Sequence, residues 1–182
     1  MAVGFWVLAL SPIIIDMKKL PLLLVFGLLV ATWGFAQSTT TTVILLRHAE
    51  KGSEASDPDL SNAGSKRAKS LVVLLQKTKI DAIYSTAFKR TRNTVKPLAE
   101  SKGLSVTLYD ATKIEEVDAL LQKHTGGTIV LCGHSNTTPT IINYLTGHKD
   151  EYNSFEDSDY GNLVIISVVE RGRDAKVVWL RY

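Results

Sequence analysis

Between residues 42 and 146 the apolar positions switch repeatedly between unbroken runs and a spacing of three and four. Thr42–Leu46 is a continuous β-branched and leucine run, the pattern of a strand buried on both faces. After Ser61-Asn62-Ala63-Gly64, the residues Ala68, Leu71, Val72 and Leu75 form one helical stripe. Asp81–Tyr84 reads as a short second strand. Phe88, Thr91, Val95, Leu98 and Ala99 stripe the next helix, which ends at Lys102-Gly103 with glycine at the stop. Leu104–Tyr109 predicts a third strand. Ile114, Val117, Leu120 and Leu121 predict a third helix, closed by Gly126-Gly127. Thr128–Cys132 is the most apolar strand and Thr138–Leu145 the fourth helix. Residues 148–161 are polar and acidic and read as a loop, followed by strands at Leu163–Val169 and Lys176–Leu180 around a hairpin turn at Arg171-Gly172. Strand–helix alternation of this kind predicts an α/β three-layer sandwich: a mostly parallel sheet flanked by helices, with an antiparallel strand pair at the C-terminus.

The N-terminus follows another pattern. Residues 1–36 carry only Asp16, Lys18 and Lys19 as charges. Met17-Lys18-Lys19, the uncharged run Leu20–Ala31 and the small residues of Gly34-Phe35-Ala36 have the layout of a secretory signal peptide, with cleavage expected after Ala36. Residues 1–16 read as an upstream extension, since Met17 alone opens a complete signal. The rival is an uncleaved anchor, but Leu20–Ala36 is short for a spanning helix and no positive stop-transfer cluster follows. Residues 37–182 are therefore expected to form one exported domain, periplasmic or secreted, with no stable membrane association after cleavage. Its single cysteine, Cys132, excludes an intramolecular disulfide and a multi-cysteine zinc site. The formal net charge of +3 for the chain carries no nucleic-acid footprint.

In open α/β sheets, ligands bind beyond the carboxyl ends of the strands. The first strand ends in Arg47-His48-Ala49-Glu50, the second in Tyr84-Ser85-Thr86 with Arg90 just inside the next helix. The third ends at Tyr109-Asp110 and the fourth in Gly133-His134-Ser135-Asn136. Two histidines, an arginine and an aspartate at equivalent ends, with Arg90 one turn into a helix, are expected to converge. Arginine forks match the oxygens of a phosphoryl group, and a neutral imidazole is both nucleophile and leaving group near neutral pH. A helix start near Asn136–Thr138 adds backbone N–H donors toward an anion. The set suits a phosphate-bearing substrate without a metal or other cofactor.

Other chemistries use some of the same residues. His48, Glu50, Asp110 and His134 are plausible metal ligands, but Arg47 and Arg90 would repel a divalent cation at short range. Gly133-His134-Ser135-Asn136-Thr137 sits where a serine-hydrolase elbow would, yet has threonine in place of the second glycine. Cys132 reads as a buried small hydrophobe. His124 and His148 flank turns without obvious partners. Lys66, Arg67 and Lys69 read as a solubilising face, and the acidic 150–159 segment as a solvated loop that could rim the crevice.

These motifs resemble those of the histidine phosphatase superfamily, the phosphoglycerate mutase-like fold, over residues 42–182. Leu45-Leu46-Arg47-His48-Ala49-Glu50 is similar to its strand–Arg-His-Gly opening, with alanine for glycine. Leu60-Ser61-Asn62-Ala63-Gly64 and Ala68 resemble its Leu-Thr-x-x-Gly…Ala helix start. The segment Tyr84–Thr94 resembles its Ser-x-x-x-x-Arg-x-x-x-Thr motif, which aligns Arg90, and Gly133-His134 its second histidine. The resemblance implies that His48 becomes transiently phosphorylated and that Arg47 and Arg90 hold the phosphoryl oxygens; Ser135 and Asn136, at the helix start, are further candidates for binding the substrate. It implies too that His134 stabilises the transferring group. The chain is too short for the acid-bearing insert of larger members and resembles the compact ones, which include phosphohistidine phosphatases. Asp110 is the first candidate acid and Glu50 the second. The expected activity is an exported, metal-independent phosphatase acting on a small phosphorylated molecule or a phosphoprotein. The alternatives are a member that binds phosphorylated ligands without turnover, or a metal-dependent hydrolase.

Overall fold

The computed structural model describes residues 39–54 and 56–182. The signal peptide, its cleavage after Ala36 and the upstream extension fall outside the described residues. Six strands run β1 (Thr41–Arg47), β2 (Ala82–Ser85), β3 (Val106–Leu108), β4 (Thr128–Gly133), β5 (Asn162–Glu170) and β6 (Asp174–Arg181). Four helices alternate with them: α1 (Asn62–Leu74), α2 (Lys89–Lys102), α3 (Ile114–Lys123) and α4 (Thr137–Thr146).

The sheet order is β3-β2-β4-β1-β5-β6. The first four of these neighbours pair in parallel, while β5 is antiparallel to β1 and β6 to β5. β1 is thus the junction between the parallel and antiparallel parts. Its alternation divides the core in two. Val43 and Leu45 join Val117, Ile141, Ile142 and Leu145 beneath α3 and α4. Ile44 and Leu46 join Leu71, Val95, Leu98 and Ala99 beneath α1 and α2. Both faces of β1 are covered, which is why its sequence is a continuous apolar run rather than an alternating one.

Local signals set the helix ends. The Ser61 hydroxyl accepts the Gly64 N–H at 3.1 Å and caps α1. Gly103 closes α2 in the left-handed region at φ 65°. Gly64 answers a different need: a Cβ there would collide with the backbone carbonyl of Glu50, so α1 can lie against the chain leaving β1 only without one. Two expectations shift. The third strand contracts from Leu104–Tyr109 to Val106–Leu108, because at the sheet edge only those three residues pair, with Ile83–Ser85 of β2. Phe88 is not a core residue of α2. It stands at the N-cap with 44% of its surface exposed, facing the carboxyl edge of the sheet.

Candidate active site

β1 and β4 are neighbours in parallel register, with Arg47 opposite Gly133. The residues that follow each therefore emerge side by side, and the His48 N–H donates to the Gly133 carbonyl at 3.0 Å. The two imidazoles meet edge to face, with ring centroids 5.5 Å apart and planes at 68°.

Their tautomers follow from their neighbours. His48 Nδ1 lies 2.7 Å from the Ala49 carbonyl oxygen, which can only accept, so Nδ1 carries the proton and Nε2 keeps its lone pair. The Ala49 N–H in turn donates to Thr94 Oγ1 at 2.9 Å, the threonine of the Tyr84–Thr94 motif. His134 Nε2 lies 2.9 Å from Thr86 Oγ1. The Thr91 hydroxyl donates to the carbonyl of Phe88 at 2.8 Å or of Thr86 at 3.0 Å, so Thr86 donates to Thr91 Oγ1 and must accept from His134. His134 is accordingly protonated on Nε2. Its Nδ1 has Arg90 Nη2 3.4 Å away, a long contact with a group that only donates.

Burial, more than any charge, pulls both imidazoles down to about 4. Arg90 and Arg47 lower each further, while the Ala49 carbonyl partly opposes the shift at His48. Both rings are neutral at physiological pH in the unliganded protein.

Arg47 is 4% exposed and held on three backbone carbonyls: Nη1 donates to Glu156 at 2.7 Å and Asp159 at 3.1 Å, and Nη2 to Asp157 at 3.3 Å. Its guanidinium lies 4.3 Å from the centroid of Tyr160, whose ring is 6.1 Å from His48. The acidic loop therefore rims the crevice chiefly through its backbone, while the solvent-exposed Asp157 carboxylate stands 3.9 Å from Arg47 Nη2. Arg90 lies 4.3 Å over the Phe88 ring, and Phe88 meets His134 edge-on at 5.0 Å. Nε of Arg47 and Nε of Arg90 are both buried without a hydrogen-bond partner. Buried polar atoms left open are rare in folded proteins; among the described residues they are these two guanidinium nitrogens beside the histidine pair and the hydroxyls of Tyr109 and Tyr182.

The other expected site residues are placed differently. Glu50 binds Arg67 through both carboxylate oxygens, at 2.7–3.1 Å, and that bonding holds its carboxyl below the usual range. Arg67 also donates to the Tyr182 carbonyl, so it is a tie between β1 and the C-terminus rather than a solubilising group. Asp110 accepts from Thr112 N and Oγ1 at 3.0 and 2.6 Å, and these bonds keep its carboxyl low. It does line a cavity of about 440 Å³ shared with His134. Asn136 is exposed at the start of α4, and its side chain makes no capping bond. Ser135 presents its carbonyl to the Phe155 N–H, and the His134 nitrogens face Thr86 and Arg90. Burial pushes the Cys132 thiol up. Two histidines expected to be unpartnered have partners: His124 meets Tyr84 Oη at 2.8 Å, and His148 pairs with Glu151 at 2.8 Å. Among the described residues, no group of three His, Cys, Asp or Glu side chains could hold a metal ion.

Sequence reasoning missed Thr86, Thr91, Phe88 and Tyr160 as parts of the site. Thr86 could have been found, since it follows β2 as His48 and His134 follow β1 and β4.

Known proteins share part of this sequence and its fold. Residues 43–113 match the family model "Histidine phosphatase superfamily (branch 1)". Over 83 residues, 42% of this chain, it is 41% identical to phosphoserine phosphatase 1 of Hydrogenobacter thermophilus, spanning 38% of that protein's length. Its fold is similar to that of the protein histidine phosphatase SixA complexed with tungstate, with a TM-score of 0.63 at 16% identity, over 77% of this chain and 96% of SixA. It is similar also to an H9A mutant of phosphoserine phosphatase from Entamoeba histolytica in complex with phosphoserine. There the TM-score is 0.59 at 18% identity, over 76% of this chain and 95% of that one.

Proposed function

We propose that this chain is a histidine phosphatase of the superfamily whose model matches residues 43–113, and that it is an exported, metal-independent enzyme acting through a phosphohistidine on His48. One observation carries the reading: His48 Nδ1 is anchored on the Ala49 carbonyl, which leaves Nε2 as an unprotonated nucleophile in the field of two arginines with open, buried Nε groups. The positive charge of those arginines favours a phosphoryl dianion there and disfavours a divalent cation. SixA, which shares this fold, is solved complexed with tungstate, a tetrahedral oxyanion, and the reading assigns the same class of group to this site.

In the first step the Nε2 lone pair forms the N–P bond as the ester P–O bond breaks in line with it. The phosphoryl dianion raises the basicity of the neighbouring imidazoles, and His134, proton-bearing on Nδ1 in the complex, gives that proton to the leaving oxygen. Water then attacks phosphorus, the N–P bond breaks, orthophosphate is released and the water proton returns to His134 Nδ1. His134 takes this role because Asp110 and Glu50 are held ionised and already hydrogen-bonded. Arg47 and Arg90 neutralise the equatorial oxygens throughout. The substrate is a phosphorylated small molecule or a phosphoprotein, met outside the cytoplasm.

The same ionised carboxylates favour a second reading, a member that binds phosphorylated ligands without turnover. One experiment separates the two. Protein beginning at Gln37 is given phenyl phosphate, and both released orthophosphate and acid-labile phosphate on the protein are measured. Turnover insensitive to chelator, with labelling lost in His48→Ala, is expected. An unlabelled protein that binds phosphate without releasing any supports the second reading.

A further inference from the structure

We propose that the cavity beside His134 is the leaving-group subsite, built for a compact organic phosphate with an apolar body and a cationic far end. The inference rests on the phosphatase reading above and specifies its substrate class. The cavity, about 440 Å³, is within the size range of small-ligand pockets. Its walls include Phe88 and Leu108, which are 44% and 55% exposed, and it is also lined by Asp110 and Glu116.

Strand order fixes its direction. His48 follows β1 and His134 follows β4, whereas Asp110 follows β3, two strands beyond β4. At the usual strand spacing that separation is about 10 Å, roughly the span of a substituted benzene ring with its ester oxygen. The leaving oxygen must lie opposite His48 for in-line displacement, and from β1 that direction leads past His134 into this cavity. The charge is set by two carboxylates and one ammonium. Lys113 Nζ is 3.5 Å from Asp110 Oδ2 and offsets it, while Glu116 uses Oε2 to accept the Asp110 N–H, and its charge remains uncompensated by that lysine. A phosphate at one end and a net negative charge at the other select a zwitterionic substrate and disfavour a second anionic group.

Three near-isosteric substrates test this: 4-(aminomethyl)phenyl, 4-methylphenyl and 4-(carboxymethyl)phenyl phosphate. Turnover is measured in the intact exported chain, and binding of the same three compounds in His48→Ala by calorimetry. The expected order of kcat/KM is aminomethyl over methyl over carboxymethyl, each step about fivefold, the size of one exposed charge interaction. Asp110→Asn combined with Glu116→Gln should compress the three values to within about twofold, since both amides keep an accepting oxygen. Leu108→Ser should raise KM for all three. Turnover without the charge order, or an order that survives in the double variant, overturns the subsite and leaves the phosphatase reading intact. Binding in the expected order without turnover overturns the phosphatase reading and keeps the subsite.

Discussion

Thr86→Val tests whether the tautomer of His134, and not merely its presence, matters. Valine keeps the shape and removes the hydroxyl, so no cavity forms. Its effect is confined to two bonds: the 2.9 Å contact with His134 Nε2 and the 3.0 Å contact with Thr91 Oγ1. Thr91 retains its own carbonyl acceptors, whereas His134 is left with a half-buried N–H and no acceptor. A buried donor without a partner costs about 1–3 kcal/mol. His134 can avoid that cost by moving its proton to Nδ1, but then it sets a donor against the Arg90 guanidinium, 3.4 Å away. Either outcome disturbs the ring that handles the proton: the first frees its orientation, and the second sets an Nδ1 proton against Arg90 before a phosphoryl dianion is there to favour it. The expected loss in kcat is roughly 10- to 100-fold, one to two factors of 1.4 kcal/mol, with a smaller change in KM. Steady-state kinetics with phenyl phosphate give the first readout, and ¹⁵N shifts of the His134 ring the second. Thr86→Ser should restore both. A kcat within twofold of the parent together with unchanged ring shifts would refute the directional hydrogen-bond chain.

Two further outcomes follow from the same geometry. His48 and His134 are lowered from 6.5 to about 4, so below pH 6.5 the unfolded chain takes up protons that the unliganded folded protein refuses. Stability measured by urea unfolding should therefore fall as pH drops from about 6.5 to about 4, and His48→Asn should flatten that slope; an equal slope in the variant contradicts the shift at His48. Gly64→Ala, which drives a methyl into the Glu50 carbonyl, should cost about 2–3 kcal/mol and lower the thermal midpoint of the domain. An unchanged midpoint would mean that the close approach of α1 to the chain after β1 is not needed.

Much of this architecture was legible in one dimension. Among the described residues, period and run length located the six strands and four helices, because each face's burial is written in the side chains that cover it. The glycine after Lys102 and the serine before Asn62 marked helix ends for local reasons that need no knowledge of the rest of the chain. The chemistry-bearing residues Arg47, His48, Asp110 and His134 stood out because they end or follow strands, and Arg90 because it opens the helix after one. Where β3 ended was less legible, since an edge strand of three residues is defined by pairing on one side only.

The sequence by itself determined which elements form and which residues lie at their carboxyl ends. Only the tertiary structure decided that β1 and β4 are neighbours, and with that the 5.5 Å meeting of two rings far apart in the chain. It also decided that Glu50 belongs to Arg67, that the acidic loop holds Arg47 chiefly through its carbonyls, and that Thr86 sets the tautomer of His134. The physical reason is the nature of the partners. Every residue carries a carbonyl and many carry a hydroxyl, so an acceptor reached across a hundred positions leaves no mark in side-chain identity. Hydrophobic burial repeats along the chain and can be read from it; a hydrogen bond between distant segments is made once, where the fold brings them together.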